Sequence, residues 1–153
     1  MPSPSLEKND INEIIDNSIN PYKKNYTNID FVFENSAKNK FLLCDKNQIF
    51  RLITNLIKNS VESVSEKNLD KDGKIIIRIS EDLKYFYFEI IDNGIGFPQK
   101  NLNNLHEPYF TTKQNGSGLG LSIVGKIIHE HKGDFYFMNN QDGGATIKFT
   151  IKK

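Results

Sequence analysis

QIFRLITNLIKNSVESV, residues 48–64 of a 153-residue chain, has the apolar spacing of a helix packed on a core. At about 100° per residue, its apolar side chains fall on one broad face. These side chains are Ile49, Leu52, Ile53, Leu56, Ile57, Val61 and Val64. Asp45 stands before the segment at the position of an N-cap. We predict a helix from this cap to about residue 65, with the rest of the chain packed around it.

Two asparagines, Asn55 and Asn59, lie one helical turn apart along the border of this apolar face. Asparagine is a poor residue for a helix interior, because its side chain competes for backbone hydrogen bonds. A pair in register is typical of a shared ligand, and amide oxygens suit a hard, hydrated cation such as Mg²⁺. The alternative is that the pair only caps or solvates the helix edge.

The charge and cysteine content exclude several classes of protein. Twenty basic and nineteen acidic residues give a formal net charge of +1, which argues against a domain that holds nucleic acid. The single cysteine, Cys44, excludes an internal disulfide and a cysteine-based zinc site. No apolar run approaches the length of a membrane span. We expect a cytoplasmic domain with no membrane contact of its own, either free or as the cytosolic part of a longer, membrane-anchored protein.

The N-terminal residues have the character of a boundary. The first ten are polar and rich in proline, which predicts a loose arm. Isoleucines at helical spacing follow Asn9 and Asp10, either of which can act as the cap, and Asn20-Pro21 is expected to end this short helix. We assign residues 1–20 to a boundary with an upstream region and residues 21–153 to the domain.

The remaining chain alternates between strand and helix signals. Extended runs at 29–33 and 40–43 predict two short strands, and the runs at 74–79 and 85–91 predict an antiparallel hairpin. A helix is expected after the glycines at 116–120, ending at Gly133, followed by strands at 134–138 and 145–151. We predict an α/β fold, a two-layer sandwich of about three helices on a mixed, mostly antiparallel sheet of about five strands. The polar stretch 97–115 has little periodicity, which is typical of a mobile lid.

Asp92 ends a predicted strand, from which a side chain can face a pocket at the sheet edge. A carboxylate only accepts hydrogen bonds, so it suits the amine of adenine and opposes the carbonyl of guanine. Gly94 and Gly96 would let the backbone approach a flat base. A plain Asp-Asn-Gly turn is the alternative.

Gly116, Gly118 and Gly120 precede a helix, so that their amides and the helix N-terminus can surround phosphate oxygens. The run is neither a Walker loop nor a Rossmann loop, because no Gly-Lys-Ser/Thr follows and Leu121 replaces the last glycine. The segment EPYFTTK, residues 107–113, indicates a clasp in which Phe110 anchors the lid and Lys113 meets phosphate. A flexible glycine loop and a ligand-free hydrophobic anchor are the alternatives.

The three histidines do not have the spacing of a metal site. His129 and His131 lack the i, i+4 spacing of a zinc-protease helix. We expect them, with His106, to be surface residues.

Four segments together resemble the N, G1, F and G2 boxes of sensor histidine kinases. They are NLIKNSVES (55–63), DNGIGFP (92–98), EPYFTTK (107–113) and GSGLGLSIV (116–124), followed by GGAT at 143–146. The resemblance covers about residues 30–151. Glu62 and the form of the F box are similar to the nitrogen-regulation branch of this family.

The resemblance implies a catalytic ATP-binding domain with the Bergerat fold of histidine kinases, gyrase, Hsp90 and MutL. It implies that Asn59, with Asn55 directly or through water, holds Mg²⁺ and that Asp92 binds the adenine amine. Gly94, Gly96 and Thr146 would border the base. The phosphates of ATP would meet the lid and the glycine run, at Phe110, Thr111, Thr112, Lys113, Gly116, Gly118, Leu119, Gly120 and Leu121.

The resemblance also implies a type of chemistry and a set of partners. The ATPases of this fold carry a glutamate general base where Asn55 stands, and an amide cannot take a proton at neutral pH. We therefore expect in-line transfer of the γ-phosphoryl group and poor hydrolysis. The acceptor would be a histidine on a helical dimerisation domain, on the same or another polypeptide, with relay to a response regulator. The isolated domain is expected to be monomeric.

Two other functions share the fold. One is a regulatory module that binds nucleotide without catalysis. The other is an anti-sigma-type kinase that phosphorylates a protein serine.

Overall fold

The computed structural model describes residues 3–67, 72–97 and 119–153, with the backbone alone for 119–121. These residues form three helices and seven strands. In chain order they are β1 (Glu7–Asp10), α1 (Ile11–Asn25), β2 (Ile29–Asn35), β3 (Phe41–Cys44), α2 (Lys46–Lys67), β4 (Gly73–Glu81), β5 (Tyr85–Asp92), α3 (Leu119–Glu130), β6 (Phe135–Asn139) and β7 (Ala145–Lys152).

Five strands form the main sheet, in the order β2-β4-β5-β7-β6. Only β2 and β4 run parallel, and the other neighbouring strands are antiparallel. The alternating residues of β4, β5 and β7 place one set of side chains under the helices, and there Phe88 stacks on Phe149 with ring centroids 4.6 Å apart. The predicted α/β sandwich, with about three helices and about five strands, is confirmed.

Helix α2 lies at the centre of the core, as its periodicity predicts. All seven of its apolar face residues are at most 2% exposed. Asp45 caps the helix, because its Oδ1 accepts the backbone N–H of Gln48 at 3.1 Å. Helices α1 and α3 both pack on α2, which also contacts β4 and β5, so the asparagine pair lies on a helix that joins both layers of the domain.

The predicted loose arm is wrong for residues 7–10. Strand β1 pairs antiparallel with β3 in a second, two-stranded sheet, with Glu7 opposite Cys44 and Asp10 opposite Phe41. The sequence of β1 is polar and lacks alternation, so only the pairing with β3 makes it a strand.

The predicted end of α1 at Asn20-Pro21 is also wrong, because the helix continues through Pro21 to Asn25. Proline removes one backbone hydrogen bond. Stacking of Tyr22 on Tyr26, with ring centroids 6.2 Å apart, accompanies the last turn. Asp10 is the N-cap, accepting the N–H groups of Asn12 and Glu13. The isoleucines of α1 are buried in the same core as α2.

His131 is buried, and the expectation of a surface histidine is wrong there. Its side chain is 5% exposed, whereas His129 is exposed as expected. Nε2 of His131 accepts the backbone N–H of Asp45 at 3.2 Å, so the hydrogen is on Nδ1, which donates to the carbonyl of Ile127 at 2.8 Å. The neutral ring thereby joins the end of α3 to the N-cap of α2.

Replacing His131 by Phe is expected to destabilise the domain by about 1 to 3 kcal/mol, because the N–H of Asp45 is left buried without its acceptor. The ring volume is retained, so loss of packing contributes little. Urea unfolding followed by circular dichroism measures the change. His129→Phe, two residues away and exposed, is the control and should leave the free energy of unfolding nearly unchanged. An equal effect of the two substitutions would contradict the role of His131.

Candidate functional site

Asp92 is the polar residue around which the site is built. It is the last residue of β5 and, with Phe86, Phe88 and Ile90, points to the face of the sheet that the helices cover. Its Oδ1 accepts hydrogen bonds from the N–H of Gly94 at 2.9 Å and the N–H of Ala145 at 3.3 Å. The hydroxyl of Ser63 on α2 donates to the same oxygen at 3.4 Å. None of these three bonds uses Oδ2.

Burial raises the pKa of the Asp92 carboxyl above its ordinary value. The hydrogen bonds from Gly94 and Ala145 oppose this shift by stabilising the charged form. A buried carboxylate whose desolvation is only partly offset gains from a further donor. The exocyclic amine of adenine is such a donor, so the surroundings of Asp92 fit the predicted role.

The loop after β5 passes close to α2, which explains Gly94. A Cβ at this position would lie 2.2 Å from Oγ of Ser63 and 2.6 Å from its carbonyl oxygen. The N–H of Ile95 also donates to the carbonyl of Ser63 at 3.2 Å. Gly94 therefore has a packing role against α2. Its predicted role beside a base stays a prediction.

Gly96 and Phe97 are attached to the end of β6 through Asn139. Gly96 has a φ of +75°, a conformation that favours glycine. Oδ1 of Asn139 accepts the N–H of Phe97 at 2.8 Å, and its Nδ2 donates to the carbonyl of Phe97 at 2.6 Å. Gly96 thus lies on the loop beside Asp92, as expected. Asn139 was not identified from the sequence, where it reads only as a turn residue.

Asn55 and Asn59 lie N-terminal to Ser63 on α2, at increasing distance along the helix axis from the residue that contacts Asp92. Both are half-buried, and they precede Ser63 by two turns and one turn. The rise of an α-helix separates these positions from Ser63 by about 12 Å and about 6 Å along the axis. A ligand whose base contacts Asp92 can therefore extend along α2 towards the asparagines.

Amide oxygens are the metal-binding groups that this part of the site offers. Among the described residues, no group of three or more His, Cys, Asp or Glu side chains could hold a metal ion. Mg²⁺ takes few protein ligands and obtains its remaining ligands from phosphates and water. Asn55 and Asn59, half-buried and one turn apart on the helix that contacts Asp92, are therefore the candidate ligands for this ion.

The structure does not bring the side chain of Thr146 to the side of the sheet where Asp92 lies. Thr146 is opposite Ile91 in β5 and Met138 in β6, so its side chain is on the face away from the helices. There its hydroxyl donates to Oδ1 of Asn140 at 2.5 Å. Ala145 occupies the inward position, and Asn140 also donates to the carbonyl of Asp92 at 3.0 Å. The strand register favours Ala145 for the position beside Asp92, and the predicted contact of Thr146 with the base stays a prediction.

Substitutions at positions 145 and 146 distinguish the two side chains. Ala145→Val is expected to weaken adenine-nucleotide binding at least tenfold, because the added methyl groups enter the space beside Asp92. Thr146→Val should leave affinity within twofold and cost about 1 kcal/mol of stability, through loss of its hydrogen bond to Asn140. Calorimetric titration and urea unfolding measure the two effects. Weaker binding only in the Thr146 variant would favour the original prediction.

Several predicted site residues lie outside the described part of the chain. These are Phe110, Thr111, Thr112, Lys113, Gly116 and Gly118, together with His106 and the proposed lid beyond Phe97. Leu119, Gly120 and Leu121 form the start of α3, so the helix begins within the glycine run, slightly earlier than predicted. Val124, Ile127 and Ile128 of α3 are buried in the core and hold this helix against α2.

Comparison with known families agrees with this geometry. Residues 44–153 match the model of the histidine kinase-, DNA gyrase B- and HSP90-like ATPases. Nitrogen regulation protein NtrY of Azorhizobium caulinodans is 36% identical over 159 residues, which cover 99% of this chain and 20% of that protein. A putative NtrY-like sensor histidine kinase of Rickettsia felis is 32% identical over 100% of this chain and 25% of that protein. The chain thus spans a quarter or less of these relatives.

Solved structures give the same result. The nucleotide-free catalytic domain of histidine kinase ThkA superposes with a TM-score of 0.85 at 29% identity, covering 97% of this chain and 96% of that domain. A complex of ThkA with the response regulator TrrA matches with a TM-score of 0.80 at 26% identity, covering 98% of this chain and 42% of that one. Among the described residues, no helix is both long and apolar enough to cross a membrane. The chain belongs to the histidine kinase-, DNA gyrase B- and HSP90-like ATPase family, and it is similar to NtrY-like sensor histidine kinases and to histidine kinase catalytic domains within it.

Proposed function

We propose that this domain binds MgATP and transfers its γ-phosphoryl group to a histidine on a separate helical dimerisation domain, for relay to a response regulator. The observation that carries the proposal is the position of Asp92. A buried, hydrogen-bonded carboxylate stands at a strand end, in contact with the helix that carries Asn55 and Asn59. One end of this arrangement suits an adenine amine, and the other suits a metal-bound phosphate.

The proposed binding mode assigns a task to each part. Asp92 accepts the adenine amine, Gly94 and Gly96 form the loop beside the base, and Asn59 with Asn55 holds Mg²⁺. Mg²⁺ would neutralise charge on the phosphate oxygens during transfer. The start of α3, where backbone N–H groups are left without helical partners, favours phosphate. Thr111, Thr112 and Lys113 remain candidates for further phosphate contacts.

Asn55 favours transfer over hydrolysis. During transfer, a P–N bond forms to the imidazole of the acceptor while the bond between the γ-phosphorus and the bridging oxygen breaks, and ADP leaves. Hydrolysis would need a base to take a proton from water, and an amide at position 55 cannot do so at neutral pH. The domain therefore holds ATP with little hydrolysis until an acceptor histidine is present.

The setting proposed for the domain follows from the same function. It would act in the cytoplasm, as a monomer when isolated, and would contact the dimerisation helices of a sensor kinase and its response regulator. Nothing in its nearly neutral charge favours nucleic acid as a partner.

Phosphoryl transfer with radiolabelled ATP tests the proposal. The domain is mixed with Mg²⁺, labelled ATP and the histidine-bearing helical domain of an NtrY-like relative. We expect label on the helical domain that is lost in acid and retained in alkali, as for phosphohistidine. An intact, ATP-bound domain that labels no partner would favour the regulatory module, and acid-stable label on a serine would favour the anti-sigma-type kinase.

A further inference from the structure

Glu62 is the carboxylate nearest in sequence to the asparagine pair. Positions 55, 59 and 62 of α2 fall within about 60° of one another around the helix axis. Side chains of a helix lean towards its N-terminus, so the Glu62 side chain covers the turn that contains Asn59. Glu62 is half-buried, whereas Glu66, one turn later on the same side, is exposed. Glu62 is thus the acidic side chain best placed to act with the asparagines.

The electrostatics of α1 support this placement. Burial raises the pKa of the Tyr22 hydroxyl, and Tyr26 and Glu62 raise it further. Glu62 is thus close enough to Tyr22, in the second half of α1, for its negative charge to act there, and its side chain is half-buried. A charge in such a place interacts with a bound ion more strongly than a fully solvated one does.

We propose that Glu62 is a positioning residue for the metal, with its carboxylate stabilising the Mg²⁺ that the two asparagines hold. This inference rests on the proposed function and adds to it a residue that makes nucleotide binding depend on Mg²⁺. Two amides supply oxygen atoms but no charge, and Mg²⁺ in proteins is usually bound through one or two carboxylates plus phosphate oxygens. Glu62 supplies the missing carboxylate.

The proposal has a signature that a purely structural role would not produce. With Mg²⁺ present, the carboxylate and the phosphates are both attracted to the ion. Without Mg²⁺, the same carboxylate repels the phosphates. Removing its charge should therefore weaken binding of the magnesium complex and strengthen binding of the free nucleotide. Loss of structure would weaken both.

The test is calorimetric titration of a non-hydrolysable ATP analogue, once with Mg²⁺ and once with EDTA. The variant is Glu62→Gln, which keeps the size of the side chain, and the matched control is Glu66→Gln. We expect the ratio of the two affinities in wild type to fall roughly tenfold in Glu62→Gln, a coupling of ordinary size. Glu66→Gln should keep the wild-type ratio.

Three results would overturn the inference. If Glu62→Gln keeps the wild-type ratio while wild type binds the magnesium complex, the proposed function survives and the role of Glu62 does not. The same holds if both affinities fall in parallel, in Glu62→Gln and in a second variant, Glu62→Ala. If folded wild type binds no adenine nucleotide under either condition, the proposed function falls together with the inference.

Discussion

Asp92→Asn is expected to lower the affinity for adenine nucleotides about 10- to 100-fold while the domain stays folded. A hydrogen bond to a charged group contributes about 1.5 to 3 kcal/mol, and each 1.4 kcal/mol is a factor of about ten in affinity. The substituted amide still has an oxygen for the N–H groups of Gly94 and Ala145. Its NH₂ group then replaces Oδ2, and a donor meets the adenine amine, which is also a donor.

Calorimetric titration with ADP, alongside a thermal melt of each protein, measures this effect. Asp82→Asn is the control, because Asp82 is exposed and lies in the turn before β5, at the opposite end of that strand from Asp92. The control should bind ADP like wild type. Unchanged affinity in Asp92→Asn would remove Asp92 from the pocket.

The second large effect is expected for Asn59→Ala. Metal stabilisation of a transferring phosphoryl group is worth several kilocalories per mole, so phosphoryl transfer should fall by about 10²- to 10³-fold. Asn59 is half-buried at the edge of α2, and alanine is the best helix former, so the fold should survive. Transfer rates measured over a range of Mg²⁺ concentrations separate a metal defect from a general one.

For Asn59→Ala, the control is a substitution on the solvent side of the same helix, Lys58→Ala, whose side chain is exposed. We expect its rate and metal dependence to equal those of wild type. Full transfer by Asn59→Ala with an unchanged requirement for Mg²⁺ would refute the metal assignment.

Much of the fold follows from periodicity. In α2 the apolar spacing identified the buried face because the helix has one core side and one open side. The hairpin of β4 and β5 was predicted from two β-prone runs separated by a short turn, and both strands lie in the middle of the sheet. Local patterns suffice where a strand or helix buries one continuous face.

The failures share a different cause, which is that a partner distant in sequence decides the structure. Strand β1 has no pattern of its own and exists because β3 pairs with it. His131 looks like a polar residue at a helix end, yet Asp45, 86 positions away, supplies an N–H that makes it a buried link. Patterns among neighbouring residues do not predict these contacts.

Thr146 is a different case, because the sequence already contains a pattern that bears on which way its side chain points. The run from Ala145 to Ile151 alternates, with Ile147 and Phe149 buried, and this parity places Ala145 inward and Thr146 outward. Strand alternation therefore outweighs the identity of a residue type when a pocket is assigned at the end of a sheet.

The most direct test of nucleotide binding is the heat of binding of ADP with Mg²⁺ to the folded domain. We predict saturable heat with one nucleotide per chain, and much weaker binding of GDP because Asp92 opposes the guanine carbonyl. A flat titration on material that melts cooperatively would contradict the claim that α2, the end of β5 and the start of α3 enclose one purine nucleotide.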